Sequence, residues 1–102
     1  MKITFEKPFV WESKEYTEIE SNYDDLKGSV LLQISNQFRN AGKMIAVPAT
    51  DMEYCAELAA RACNQPVEFI EALPVKYAYA LVQEAQTFLF STLGNLVETP
   101  AK

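Results

Sequence analysis

The chain contains no histidine. That absence removes the side chain most used as a general base near neutrality, and with it the commonest imidazole metal ligand. Glycine occurs only at positions 28, 42 and 94, so no glycine-rich loop able to cradle phosphates can be written. Serines are present, but none sits in a nucleophile-elbow context. The two cysteines, Cys55 and Cys63, fall in one expected helix. At about 1.5 Å of rise per residue their backbones are about 12 Å apart, too far for a disulfide. They share a face with Met52 and Ala59 and read as small core residues, not as redox or metal groups. The expectation is a protein with no catalytic residues, no metal and no cofactor, hence not an enzyme.

Basic charge is also scarce. Nine Lys and Arg oppose 14 Asp and Glu, a net charge of −5. The balance is −3 over residues 1–28, zero over 29–64 and −2 over 65–102, so no segment is basic. That distribution argues against nucleic acid and anionic membrane as partners. Long apolar runs are missing as well. The longest, Tyr77 to Val82, is far short of a membrane span. The start, MKITFEKPFVWE, carries charge at positions 2, 6 and 7 and does not resemble a signal peptide. The sequence predicts a cytoplasmic protein. The acidic pairs Asp24-Asp25 and Glu18/Glu20 read as a solvated loop and the polar face of a strand.

What is present is an ordinary globular balance, 49% apolar and 23% charged, in 102 residues. A chain of this length forms a single domain that buries roughly 65% of its unfolded surface. Residues 3–11 alternate, with Ile3, Phe5, Phe9 and Trp11 on one side, broken only by Lys7. YTEIE at 16–20 forms a second run, and ESKE between them has hairpin-loop length. Pro8 cannot donate to a ladder, so its strand lies at an edge or bulges there. A lone hairpin is marginal in water, so a helix or another subunit should cover its aromatic face.

Helical signals fill the rest. The turn Asp24-Asp25-Leu26-Lys27-Gly28 leads to Ser29 as N-cap and a helix to about Ala41, with Val30, Leu31, Ile34, Phe38 and Ala41 on one stripe and Gly42 as terminator. After the apolar connector KMIAVPA, Thr50-Asp51-Met52-Glu53 reads as a capping box. The second helix then carries Met52, Cys55, Ala56, Ala59, Ala62 and Cys63 on one face, small enough for a neighbour to approach closely. Pro66 opens a short third helix to Ala72, anchored by Phe69, Ile70 and Leu73, and Pro74 forces Leu73 out of helical geometry. The last helix runs to about Leu93, closed by Gly94. The predicted class is α+β: a β-hairpin over residues 1–21, about four helices over 24–94 (two long, one short, one long and C-terminal), and a flexible tail over 95–102.

The last helix buries Ala78, Leu81, Val82, Ala85, Phe88 and Leu89. Opposite them, at helical spacing, stand Tyr79, Gln83, Gln86 and Phe90. Either the hairpin or the tail covers these aromatics, or they form a protein-binding surface with the hairpin's Phe9 and Trp11. A helix-turn-helix reading of ELAARACNQPVEFIEAL, that of a small transcriptional regulator, is the alternative. Its would-be recognition helix presents Glu68 and Glu71, with only Arg61 and Lys76 nearby to offset them.

With these residues in place, the chain from about Ile3 to Leu89 resembles the tail assembly chaperones of long-tailed phages, small proteins encoded just upstream of the tape measure gene. The similarity lies in an order of features. FEKPFVWESKEYTEIE matches the family's hairpin, with its proline in the first strand, and Asp24-Asp25-Leu26-Lys27-Gly28 matches its acidic turn. TDMEYCAELAARACNQPVEFIEALP is similar to the central pattern through Tyr54, Leu58-Ala59-Ala60, Ala62, Pro66, Ile70 and Leu73-Pro74. Phe88-Leu89 matches its close. Cys63 and Asn64 stand where a glycine-containing turn is usual. The resemblance implies a non-enzymatic protein of the host cytoplasm that coats the tape measure protein. It implies possible recruitment of the major tail tube protein, self-association into a homo-oligomer, and absence from the finished virion. In some members it implies a longer frameshifted form. A host-directed inhibitory protein would share the same docking physics.

Overall fold

The computed structural model describes residues 1–97 and has the expected α+β order: an antiparallel hairpin followed by four helices. The strands are β1 (Lys2–Trp11) and β2 (Lys14–Glu20); the helices are α1 (Gly28–Asn40), α2 (Met52–Ala62), α3 (Val67–Ala72) and α4 (Val75–Val97). The connection is tighter than the four-residue loop read from ESKE. Glu12 and Ser13 alone form it, both at positive φ (51° and 65°). Two left-handed residues give the twist that matches a two-residue hairpin, but neither is a glycine or asparagine, so the turn is strained.

Pro8 marks a bulge, as expected. Ile3 pairs with Ile19 and Thr4 with Glu18, whereas beyond the irregularity Phe9 pairs with Tyr16 and Trp11 with Lys14. The register shift between Thr4 and Phe9 is odd, so it exchanges the two faces of β2. Tyr16 and Ile19, three residues apart, can therefore both turn towards the helices. The bulge also frees the amide of Glu6. The Tyr77 hydroxyl on α4 accepts from it at 3.0 Å, and the Lys76 ammonium meets the Glu6 carboxylate at 2.6 Å.

A helix covers the aromatic face. Phe69 of α3 is fully buried, with the rings of Phe9, Trp11 and Tyr16 edge-on to it at 5.6, 5.3 and 5.1 Å. Phe5 packs on Tyr77 at 4.8 Å. At the open end of the hairpin, Asn22 donates its amide to the last α2 carbonyl, Ala62, at 2.9 Å. Helix α2 is buried on most sides, through Tyr54, Cys55, Glu57, Leu58, Ala59, Ala60 and Ala62, and contacts each of the other helices. It holds the central place its small residues predict.

Several local expectations are corrected. The α2 cap is Asp51, whose carboxylate accepts from the Tyr54 amide at 2.8 Å. No capping box forms, because Thr50 belongs to a 3-10 turn at Pro48–Thr50 and its hydroxyl donates back to Val47, while Glu53 pairs with Lys43. Met52, expected in the core, is 62% exposed: as the first helical residue it lies beyond the stretch its neighbours cover. Helix α1 begins at Gly28, which leaves Ser29 inside the first turn and Lys27 as an N-cap without a side-chain bond. Ala41 is exposed rather than on the core stripe. Pro66 is the N-cap of α3 instead of its first helical residue. Leu73, at φ −67° and ψ 150°, is extended before Pro74 as expected. Helix α4 continues through Gly94 to Val97, so residues 95–97 are helical where a tail was expected. Residues 98–102 lie outside the described part.

The turn where a glycine is usual has a clear answer. Asn64 takes φ 59°, Gln65 donates to Ala60 at 2.9 Å and Asn64 to Arg61 at 3.1 Å. This is a Schellman ending with asparagine in the left-handed position. Gly42 (φ 77°) closes α1 in the same way, with Lys43 donating to Phe38 at 2.9 Å.

The strained hairpin turn yields a measurable consequence. Replacing Glu12→Asn together with Ser13→Gly should raise stability by about 1 kcal/mol, since that dipeptide adopts both angles cheaply. A urea titration reads this as a higher midpoint with unchanged slope. An unaltered midpoint would show that the turn is not strained.

Candidate surface for protein docking

Helix α4 is oriented by what it must face. Tyr77 reaches the bulge, Leu81 and Ala85 are fully buried, and Phe88 stacks on Tyr23 at 4.6 Å with the rings 28° apart. Glu84 also turns inward: Ser21 donates its hydroxyl to one carboxylate oxygen, and the amino group of Met1 lies 3.2 Å from the other. At about 100° per residue, these positions leave the opposite side of the helix outward.

Tyr79 and Phe90 occupy that side, each 52% exposed. Gln83 is exposed and donates to the Tyr79 hydroxyl at 3.1 Å; Gln86 is half-buried. So these four α4 residues share a face, and the described part of the hairpin does not cover its aromatics. Phe9 and Trp11, grouped with them in the sequence reading, have a different job. Both are half-buried rings of the cluster around Phe69, and no aromatic contact among the described residues links them to Tyr79 or Phe90. Val75, 81% exposed, extends the face. Its place four residues before Tyr79 was the available signal. Leu32, which falls off the α1 stripe in the sequence, is 68% exposed, and Met44 and Val47 of the connector are exposed at 93% and 51%.

Reactive chemistry is poorly supplied elsewhere. Burial pushes the Cys63 thiol up to about 11, and burial likewise raises that of Cys55, away from the thiolate a nucleophile needs. Both are free and buried. The Tyr23 hydroxyl is buried without a hydrogen-bond partner among the described residues, and desolvation, with the nearby Glu84 charge, raises its pKa. One cleft of about 400 Å³ lies between α1 and the connector, lined by Ser35, Arg39, Lys43 and Met44 among others, with no carboxylate or thiol in its wall. Among the described residues no group of three Cys, Asp or Glu side chains could hold a metal ion. No helix there is long and apolar enough to cross a membrane. Helix α3 buries Phe69 and Ile70 and leaves Glu68 and Glu71 in solvent, where carboxylates repel phosphates. No family model, curated protein or solved structure matches the chain.

Two outcomes follow from these placements. The double variant Tyr79→Ser/Phe90→Ser should lose no more than about 1 kcal/mol of stability, whereas Leu81→Ala should lose about 2–5 kcal/mol, because only Leu81 leaves a cavity. Equal losses in denaturant titrations would place the two aromatics in the core. The buried Cys63 thiol also sets an alkaline limit. Between pH about 9 and about 11 the unfolded chain releases a proton that the folded chain retains. Stability should therefore be flat below that window and fall within it, by up to about 1.4 kcal/mol per pH unit for one thiol. A Cys63→Ala background should flatten that part of the profile.

Proposed function

We propose that this protein is a tail assembly chaperone of a long-tailed phage or prophage, acting by docking onto another polypeptide. The observation that carries the docking part is the outward face of α4: Val75, Tyr79 and Phe90 stay open on a helix whose opposite side is buried. Exposed apolar patches of this kind mark interaction sites. The order of features along the chain supports the narrower reading, in which the client is the tape measure protein and the major tail tube protein is a further partner. The work is binding without bond chemistry: apolar side chains shield client helices in the host cytoplasm until tube polymerisation displaces the chaperone. The acidic net charge supports a polypeptide client over nucleic acid.

A pull-down from co-expression with a tape measure fragment tests this. The folded Tyr79→Ser/Phe90→Ser variant should retain less than about a tenth of the wild-type capture, the loss of two interface aromatics. Undiminished capture would remove this face from the mechanism, and failure of the wild-type protein to capture any fragment would remove the client. A mobility shift at low salt, where even non-specific DNA binding appears, would instead favour the regulator.

A further inference from the structure

We infer that the cleft between α1, α2 and α3 is a docking site for an arginine side chain of a partner polypeptide. No residue of α4 lines this cleft, so the inference does not depend on which client the α4 face holds. Its volume is about 200 Å³. Phe38, Ala56 and Val67 give it an apolar lining, and Glu53, Glu57 and Glu71 bring three carboxylates to its wall. Glu53 and Glu57 stand four apart on α2, a spacing that sets like charges side by side and weakens a helix unless a cation joins them.

Glu57 is the observation that points to a ligand. It is only 8% exposed, yet no Lys or Arg among the described residues lies within ion-pair distance of it. One carboxylate oxygen, Oε2, accepts from the Gln37 amide at 3.1 Å. The other has no donor among the described residues, and it is not sealed in the core, so it opens into the cleft. Buried carboxylates are ordinarily paired, because removing an unpaired charge from water is costly. The cations of α1, α2 and the connector are engaged elsewhere: Arg39 with Asn36 at 2.9 Å, Arg61 with Gln33 at 3.0 Å and Lys43 with Glu53 at 2.6 Å.

Lys43 shows what the cleft accepts. It lines the cleft from the connector, and its ammonium stands 5.5 Å from the centre of the Phe38 ring while joined to Glu53. The bond to Glu53 raises its pKa, and the charges of Asp51 and Glu71 add to the rise, so the local field favours a cation. One lysine against three carboxylates leaves the cleft two negative charges in excess. These carboxylates do not converge to hold a metal ion. An arginine suits the remainder. Its methylene stem covers apolar lining, its weakly hydrated guanidinium stacks on aromatic faces, and its several donors serve more than one carboxylate. The chain as a whole, at −5, draws such a partner in.

The test uses the isotope-labelled full chain and a short alanine-based peptide with one central arginine flanked by leucines, beside a twin carrying neutral citrulline. Amide shifts should move at Phe38, Glu57, Val67 and Glu71. The arginine peptide should bind at least about tenfold more tightly than its twin, the value of one charge-assisted contact. Glu57→Gln should abolish that difference, since its amide oxygen still accepts from Gln37 but carries no charge. Lys43→Gln should raise affinity several-fold by emptying the cleft, whereas Lys14→Gln, the same charge change on β2, should not. If Glu57→Gln does not fold, the exposed positions carry the test: Lys43→Gln must strengthen binding and Glu71→Gln must weaken it. Equal affinity for the two peptides, discrimination that survives Glu57→Gln, Lys14→Gln acting like Lys43→Gln, or no shift at the cleft would each overturn the proposal. Spermidine moving the same amides at the same concentration would assign the cleft to small polyamines and overturn the polypeptide occupant. The Tyr79→Ser/Phe90→Ser variant should bind the arginine peptide as the wild type does; a shared defect would merge the two surfaces and overturn a separate site.

Discussion

The fold depends on the burial of one ring. Phe69 belongs to α3, a helix of six residues that could not persist alone, and it receives the edges of Phe9, Trp11 and Tyr16 from a hairpin that is equally marginal alone. Each supplies the apolar surface the other lacks. The flanking prolines make this possible: Pro66 caps the helix and Pro74 forces Leu73 into extended backbone, so α3 is a corner of fixed length. NQPVEFIEALP is best understood as this corner. It turns the chain between α2 and α4 and presents Phe69 to the sheet.

From that corner the orientation of α4 follows with little freedom. The three-residue excess in β1 around Pro8 leaves the Glu6 amide without a ladder partner, and the Tyr77 hydroxyl takes it. Once Tyr77 faces the bulge, Tyr79 lies about 200° further round the helix and must face away. Glu84, seven residues after Tyr77, returns to the Tyr77 side and meets Ser21 and the Met1 amino group. The single acidic residue of the helix is thereby drawn inward. The open face of α4 is thus not a region left unfinished by folding. It is fixed by the same contacts that hold the hairpin down.

Periodicity carried most of this information. The core stripes around Ile34 and Phe38, Leu58 and Ala59, and Leu81 and Ala85 are buried as their spacing requires, and the outward positions of Tyr79 and Phe90 follow from the same rule. Local signals misled where two of them competed for one residue. Thr50 could cap α2, but Pro48 starts a 3-10 turn that takes it, and Asp51 inherits the cap. Gly94 could end α4, yet a glycine inside a helix costs only about 1 kcal/mol, and the helix passes through it. Phe9 and Trp11 could not be sorted from Tyr79 by pattern, because their covering ring comes from an element some sixty residues away in the chain. Long-range contacts of this sort leave no trace in local spacing.

Energy scale decides what the open face can do. Covering the exposed halves of Tyr79 and Phe90 and most of Val75 stabilises a complex by at most about 9 kcal/mol, at roughly 25 cal/mol per Å². Association costs about 4–15 kcal/mol in lost rigid-body freedom. Those three side chains therefore leave little margin over that cost, and the uncharged Gln83 and Gln86 beside them add polar contacts at the edge of the patch. Even then the margin is small, which suits an occupant that must leave. A charge-free contact has no salt-dependent steering to speed its formation. Its lifetime instead depends on how well apolar layers match, and a polymerising competitor with better-matched layers would displace it without any catalytic step.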